Sequence, residues 1–254
     1  MALSNIARTA VSTLICRAVE SELKDSNLHD PMAVQILETL LSNSSEEDKK
    51  WILKWKKRYG SFWSDDRRQG IERVNKFDKI TKDYISQNNN CHIVNLGCGL
   101  DTMYWRIQSD TCTYIELDLP EIINLKKELL GNQIPYEMIA YSVLDTNWLD
   151  TITEPGSSNF LFIAQGLLYY LPREGVVHLF KTISEKVIKS EMVFDLMPRF
   201  LTRGLFKWLE KLVFGITFTF SVKNESEIES FANGLKVTSF DKAFPFQYIT
   251  VNIN

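Results

Sequence analysis

The amino-acid sequence predicts an α/β fold: a helical N-terminal region, then a mostly parallel sheet with an antiparallel end. Three observations predict it. Helical periodicity fills the first ninety residues. Short apolar runs alternate with helical stretches from residue 91 onward. Two strand-like runs flank Pro245 near the end of the chain.

Each element has a local reason. Asp30-Pro31 opens a helix with Pro at its first position, followed by Val34, Leu37, Leu40 and Leu41. The polar stretch Asn43 to Asp48 breaks the chain and caps a second helix carrying Trp51 and Trp55. Ile71, Val74, Phe77, Ile80 and Tyr84 form an i, i+3, i+4 stripe, and Gln87 to Asn90 ends that helix. Five apolar runs then read as strands: His92 to Leu96, Thr113 to Leu117, Tyr136 to Ala140, Phe160 to Ala164 and Met192 to Leu196. Glu121 to Leu130 and Glu174 to Lys189 read as intervening helices, so the strands belong to βαβ units. Pro198 to Phe220 reads as an inserted amphipathic helix. Lys236 to Asp241 and Phe246 to Asn254 read as neighbouring antiparallel strands.

The bulk numbers exclude several classes. The chain has 254 residues, 44% hydrophobic and 24% charged, with a net charge of -3. That is an ordinary globular composition, with no bulk attraction to nucleic acid or to an anionic membrane. The basic run around Lys49, Lys50, Lys54 and Lys56 reads as the solvated face of a helix whose apolar stripe holds Trp51 and Trp55. The four cysteines show no CxxC spacing and there are three histidines, so no metal site is expected and a reducing cytoplasm is. No signal peptide or membrane-spanning stretch is read.

The chemistry concentrates at strand ends. Val94-Asn95-Leu96-Gly97-Cys98-Gly99-Leu100-Asp101-Thr102 lies where the first strand stops, and glycines there let the backbone pass close to a ligand. Asp118 follows Gly97 by twenty-one residues and ends the second strand. A carboxylate at that place accepts both ribose hydroxyls of a nucleoside cofactor. A dinucleotide site wants GxGxxG, but Thr102 holds the third glycine position and Asp101 would repel a pyrophosphate. S-adenosylmethionine (SAM) carries a sulfonium and an ammonium and no phosphate, so the acidic neighbourhood favours it over a nicotinamide dinucleotide.

The motifs NLGCGLDTMYWRI, YIELDLPEII and IAQGLLYYLP, with DPMA (Asp30 to Ala33) and GIERVNKFD (Gly70 to Asp78), are similar to the leucine carboxyl methyltransferase and tetracenomycin-type O-methyltransferase family. The resemblance covers roughly residues 28 to 200. It implies a Rossmann-like SAM-dependent methyltransferase with a seven-stranded sheet and an N-terminal helical lid. In that arrangement residues 1–90 form the lid region packed on the core. Residues 91–254 form the core with a helical insertion near 198–220. The resemblance implies a contact from Arg73 to the SAM carboxylate, loop contacts at Gly97 and Gly99, and a ribose contact at Asp118. It leaves Asp101 to orient the loop or to touch the amino-acid end, and Cys98 as a small residue that fits the loop. The family's usual acid at the end of the fourth strand, near the methionine ammonium, is Gln165 here. Its usual Asp-Leu after the third strand, near the adenine, is Ser142-Val143, with Asp145 three residues on.

Methyl transfer from a sulfonium needs alignment more than acid–base help, and a carboxylate acceptor needs no base at neutral pH. None of His29, His92 and His178 stands out as a base. The catalytic residue is therefore open, with Tyr170 and His29 as candidates for facing the substrate. Phe62, Trp63 and Arg67 or Arg68 are candidates for lining the lid, and Phe206, Trp208 and Phe214 for closing the pocket from the other side, with ordinary core as the alternative reading of these last three. The expected function is O-methylation of a carboxylate or hydroxyl on a small molecule or polypeptide C-terminus, with S-adenosylhomocysteine (SAH) as product. A SAM-binding protein without transfer activity is the first alternative and a nicotinamide-dependent reductase the second.

Overall fold

A computed structural model describes residues 3–61, 64–154, 157–200 and 218–254. The chain forms two compact units, one of Met1–Gln87, Gly99–Asp110 and Pro120–Pro135, the other of Asn88–Cys98, Thr111–Leu119 and Tyr136–Asn254. The residues just after the first and second strands thus group with the N-terminal helices. Most of the expected insertion over 198–220, with Phe206, Trp208 and Phe214, lies outside the described residues, as do Phe62 and Trp63.

The first unit is helical: α1 (Asn5–Ser21), α2 (Pro31–Asn43), α3 (Glu46–Tyr59), α4 (Asp65–Gln87), α5 (Met103–Ile107) and α6 (Pro120–Leu130). The starts of α1, α2 and α3 are capped by short oxygen side chains, which satisfy amides that have no intrahelical acceptor. Ser4 accepts from the Ala7 N–H, Asp30 from Ala33 and Ser45 from Asp48. On α3, Glu46, Glu47 and Asp48 occupy the first turn and Lys56, Lys57 and Arg58 the last, the favourable sense for the helix dipole. Leu14, Ile15, Ile36, Leu37, Leu40, Ile52 and Val74 form the core, with Trp51 and Trp55 partly buried against it. The aromatic stripe of α3 is therefore packing, and its lysines are the outer face.

The second unit holds the sheet: β1 (Cys91–Leu96), β2 (Cys112–Asp118), β3 (Glu137–Ala140), β4 (Phe160–Ala164), β5 (Ser190–Leu196), β6 (Leu235–Ala243) and β7 (Phe246–Ile253). The order is β3-β2-β1-β4-β5-β7-β6. β1 to β5 run parallel, and β7 lies antiparallel between β5 and β6. β4 is buried at every position, as a strand covered on both faces must be. Among the described residues three helices accompany the sheet: α7 (Leu149–Ile152), α8 (Arg173–Lys186) and α9 (Glu225–Glu229). Leu179, Phe180 and Ile183 of α8 join Phe162, Phe194 and Phe231 in the core. Fully buried Trp148 fills the region after β3 and donates its indole N–H to the Val143 carbonyl at 3.4 Å.

Among the described residues no helix is long and apolar enough to cross a membrane, and no group of three metal-ligating side chains occurs.

Candidate functional site

In the second unit, four neighbouring strands end on sequence-predicted site residues. β1 ends at Leu96, and Gly97 follows with φ +62°, a left-handed conformation open to glycine. Its N–H donates to the Leu117 carbonyl at 2.7 Å, which holds the turn to the end of β2. A Cβ at Gly97 would lie 2.7 Å from Leu167 Cδ1, so close packing as well as φ requires glycine here. β2 ends at half-buried Asp118, whose Oδ1 accepts the Leu119 N–H at 2.7 Å. After β3, Ser142 is half-buried and Val143 buried, and the Ser142 Oγ accepts the Leu144 N–H at 3.3 Å. After β4 comes Gln165. Its Oε1 is buried and has no hydrogen-bond partner among the described residues. A buried acceptor left unpaired costs about 1–3 kcal/mol, so a ligand donor is the natural complement.

The turn after Gln165 continues through Gly166, with φ +71°, to a short helical turn at Leu168–Tyr170. Tyr170 packs on Tyr169 at 4.6 Å between ring centroids and on Phe218 at 5.4 Å. The Tyr169 carbonyl accepts the Thr219 N–H at 2.7 Å, which fixes residues 218–220 to this turn. The histidines are elsewhere or unengaged: His92 stacks on Phe160 at 4.4 Å, and His178 is hydrogen-bonded to Thr146 on the surface. Burial pulls the His92 pKa below its ordinary value. His29 is exposed in the first unit.

The first unit holds the rest of the glycine loop. Gly99 has φ +54°, and a Cβ there would sit 3.4 Å from the Ala10 Cβ. Asp101 is the centre of a buried ionic network. Its Oδ1 accepts the Thr102 N–H at 2.8 Å and Arg106 Nη1 at 3.0 Å, with Arg17 at 3.8 Å, while its carbonyl accepts from Lys126. Arg106 also grips Asp78 through two bonds of 2.7 and 2.9 Å and reaches Asp30 at 3.1 Å. Arg17 donates to the Leu100 carbonyl at 2.6 Å and to Asp30 at 3.2 Å. Burial alone would push the Asp101 carboxyl up, but Arg106, Arg17 and Lys126 together hold it well below the usual range. At Asp78 burial prevails over Arg106 and the carboxyl is pushed up. Arg106 is held charged by Asp101, Asp78 and Asp30 against the pull of burial.

Arg73 is half-buried on α4. Arg67, a candidate pocket residue, is buried and committed to Glu20 at 2.9 Å and to the Tyr59 carbonyl. Arg68 is exposed and pairs with Asp65. The ionic roles of Arg17, Arg106 and Asp78 escaped the sequence reading, although the last two lie in its quoted motifs, because ion pairs between distant segments leave no local pattern.

Comparison with known proteins agrees with this architecture. The leucine carboxyl methyltransferase family model matches residues 10–184. Tetracenomycin polyketide synthesis O-methyltransferase TcmP of Streptomyces glaucescens is 28% identical over 166 residues, covering 65% of this chain and 60% of that protein. The S-adenosyl-L-methionine-dependent methyltransferase dpfgK of Gibberella zeae is 23% identical over 249 residues, covering 92% of this chain and 81% of its own length. The structure of magnesium protoporphyrin IX methyltransferase from Synechocystis PCC 6803 with bound SAH superimposes with a TM-score of 0.54 at 10% identity. That likeness covers 89% of this chain and 100% of the other. The fold is that of the SAM-dependent methyltransferases, and the chain belongs to the leucine carboxyl methyltransferase family.

Proposed function

We propose that this protein is a SAM-dependent O-methyltransferase that methylates a carboxylate or hydroxyl of a small molecule or a polypeptide C-terminus. The observation that carries the reading is the row of strand ends in the second unit. The left-handed Gly97 turn follows β1, Asp118 closes β2, Ser142-Val143 follow β3, and Gln165, whose buried oxygen has no partner among the described residues, follows β4. These residues fit the cofactor's chemistry. Gly97 and Gly99, both with positive φ, would let the loop backbone pass close to it, Asp118 would hold the ribose hydroxyls, and Ser142 and Val143 would meet the adenine. Gln165 Oε1 would accept from the ammonium and Arg73 would hold the carboxylate. Asp101, already engaged by Arg106 and Arg17, suits the role of orienting the loop.

Bound SAM supplies a methyl group activated by its sulfonium. The chain's own task is to align the acceptor oxygen with that carbon and to keep water out. Among the described residues no histidine is placed with a carboxylate partner that would make it a base, which favours a carboxyl group or an acidic hydroxyl as acceptor. Tyr170, beside Phe218, and His29 are the candidates for touching that acceptor. The names of the family and of the Streptomyces relative support an oxygen acceptor. Four cysteines with no CxxC spacing suit a cytosolic setting.

The neutral Gln165 favours one second reading, a SAM-binding protein without transfer. Incubation with methyl-labelled SAM and a panel of carboxylic acids, phenols and peptide C-termini separates the two. Label in an acceptor supports transfer. SAH binding with no labelled product across the panel supports the second reading.

A further inference from the structure

We propose that Asp195, at the end of β5, is a positioning residue for the amino-acid end of the cofactor and supplies the negative charge that Gln165 lacks. The inference rests on the SAM reading above. In the β4–β5 register Ala164 pairs with Phe194, and Gln165 and Asp195 are the residues that follow that last pair. Asp195 is fully buried. Its Oδ1 accepts the Gly166 N–H at 2.6 Å, a short contact of the kind a carboxylate makes with a backbone amide. Gly166 has φ +71°, and the residue after it, Leu167, is the one that packs against Gly97.

One carboxylate thus ties together the turn that carries both the unpaired Gln165 oxygen and the wall of the glycine loop. With a neutral residue at 165, the adjacent buried charge on β5 does two things. It fixes where the Gln165 oxygen sits, and it lowers the potential felt by a cation bound there, with little solvent screening.

The test is calorimetric titration with two probes. SAH carries the amino-acid end; 5′-methylthioadenosine carries the nucleoside without it. Asp195→Asn keeps the volume and an acceptor oxygen for Gly166. It is expected to weaken SAH binding about tenfold, the scale of one charge-assisted hydrogen bond, and to leave 5′-methylthioadenosine within about twofold of wild type. Asp195→Asn combined with Gln165→Glu is expected to recover the SAH affinity. Gln165→Glu alone, whose fold does not depend on the Asp195 change, is expected to gain less than about twofold because the charge is already present.

Equal losses for both probes in Asp195→Asn would overturn the proposal and leave a purely structural role. So would unchanged SAH binding in that variant, or a tenfold gain in Gln165→Glu alone. Absence of SAH binding by the wild type would overturn the cofactor reading itself, and this inference with it.

Discussion

At the scale of single residues, Gly97 and Asp118 carry the most specific expectations. Gly97 combines φ +62° with Leu167 at 2.7 Å from the place a Cβ would take. Gly97→Ala is expected to cost about 1–2 kcal/mol from backbone conformation alone, with further loss from the displaced leucine. Chemical denaturation measures the cost, and loss of SAH binding should accompany it. Asp118→Asn removes charge while keeping shape. It should weaken SAH binding by the equivalent of about 1.5–3 kcal/mol and leave the melting temperature within a few degrees, as read by calorimetry and thermal unfolding. The turn at Gly97 and the strand-end place of Asp118 were legible in the sequence because a glycine turn and a strand-end acid are local signals. Gln165 was legible as a departure from the family pattern. Its unpaired oxygen was not, since that depends on what every neighbour does. Asp195 lies within the predicted fifth strand, and its place at the strand end was the available signal; its bond to Gly166 spans twenty-nine residues.

At the scale of elements, α5 and the loop before it are held by ionic side chains rather than by apolar contact alone. Arg106 meets Asp78, Asp30 and Asp101 while itself only 3% exposed. Removing one member leaves buried charge without compensation. Arg106→Leu is therefore expected to destabilise the protein by about 3–5 kcal/mol, measured by denaturant unfolding. The network also gives a pH dependence with a definite sign. Asp101 is held below the usual carboxylate range, so its stabilising contribution is full above the unfolded pKa of about 4 and is lost as pH falls through the folded value. Asp78, pushed up by burial, acts in the opposite sense, favouring the fold at low pH and losing that contribution as pH rises through its folded pKa. Unfolding measured between pH 7 and pH 3 should show a smaller acid-induced loss in Asp101→Asn than in wild type. Equal losses would remove Asp101 as a source of the dependence. The strands of the sheet were readable from apolar runs to within a residue or two at most ends, since buried parallel strands leave continuous Val, Ile and Phe. α5 was not, because a helix of five residues is too short for a periodicity.

At the scale of the whole molecule, the sequence announces the parallel order and the antiparallel end, but not that β7 intervenes between β5 and β6. Strand order depends on which edges pair, and the two tail strands share the same alternation. Nor is the boundary of the helical unit a single point in the chain, since segments after β1 and β2 join it. Chain order shows where composition changes; the grouping of segments is decided by contacts between residues far apart in sequence. The functional account rests on one unit's strand ends, with Gly97 after β1, Asp118 at the end of β2, Ser142-Val143 after β3 and Gln165 after β4. Titration of SAH into wild-type protein and into Asp118→Asn, with NADH as the contrasting ligand, tests this most directly. The account predicts saturable one-to-one binding of SAH by wild type, clear weakening in the variant and no binding of NADH. No heat of SAH binding at millimolar concentration, or NADH binding in its place, would contradict it.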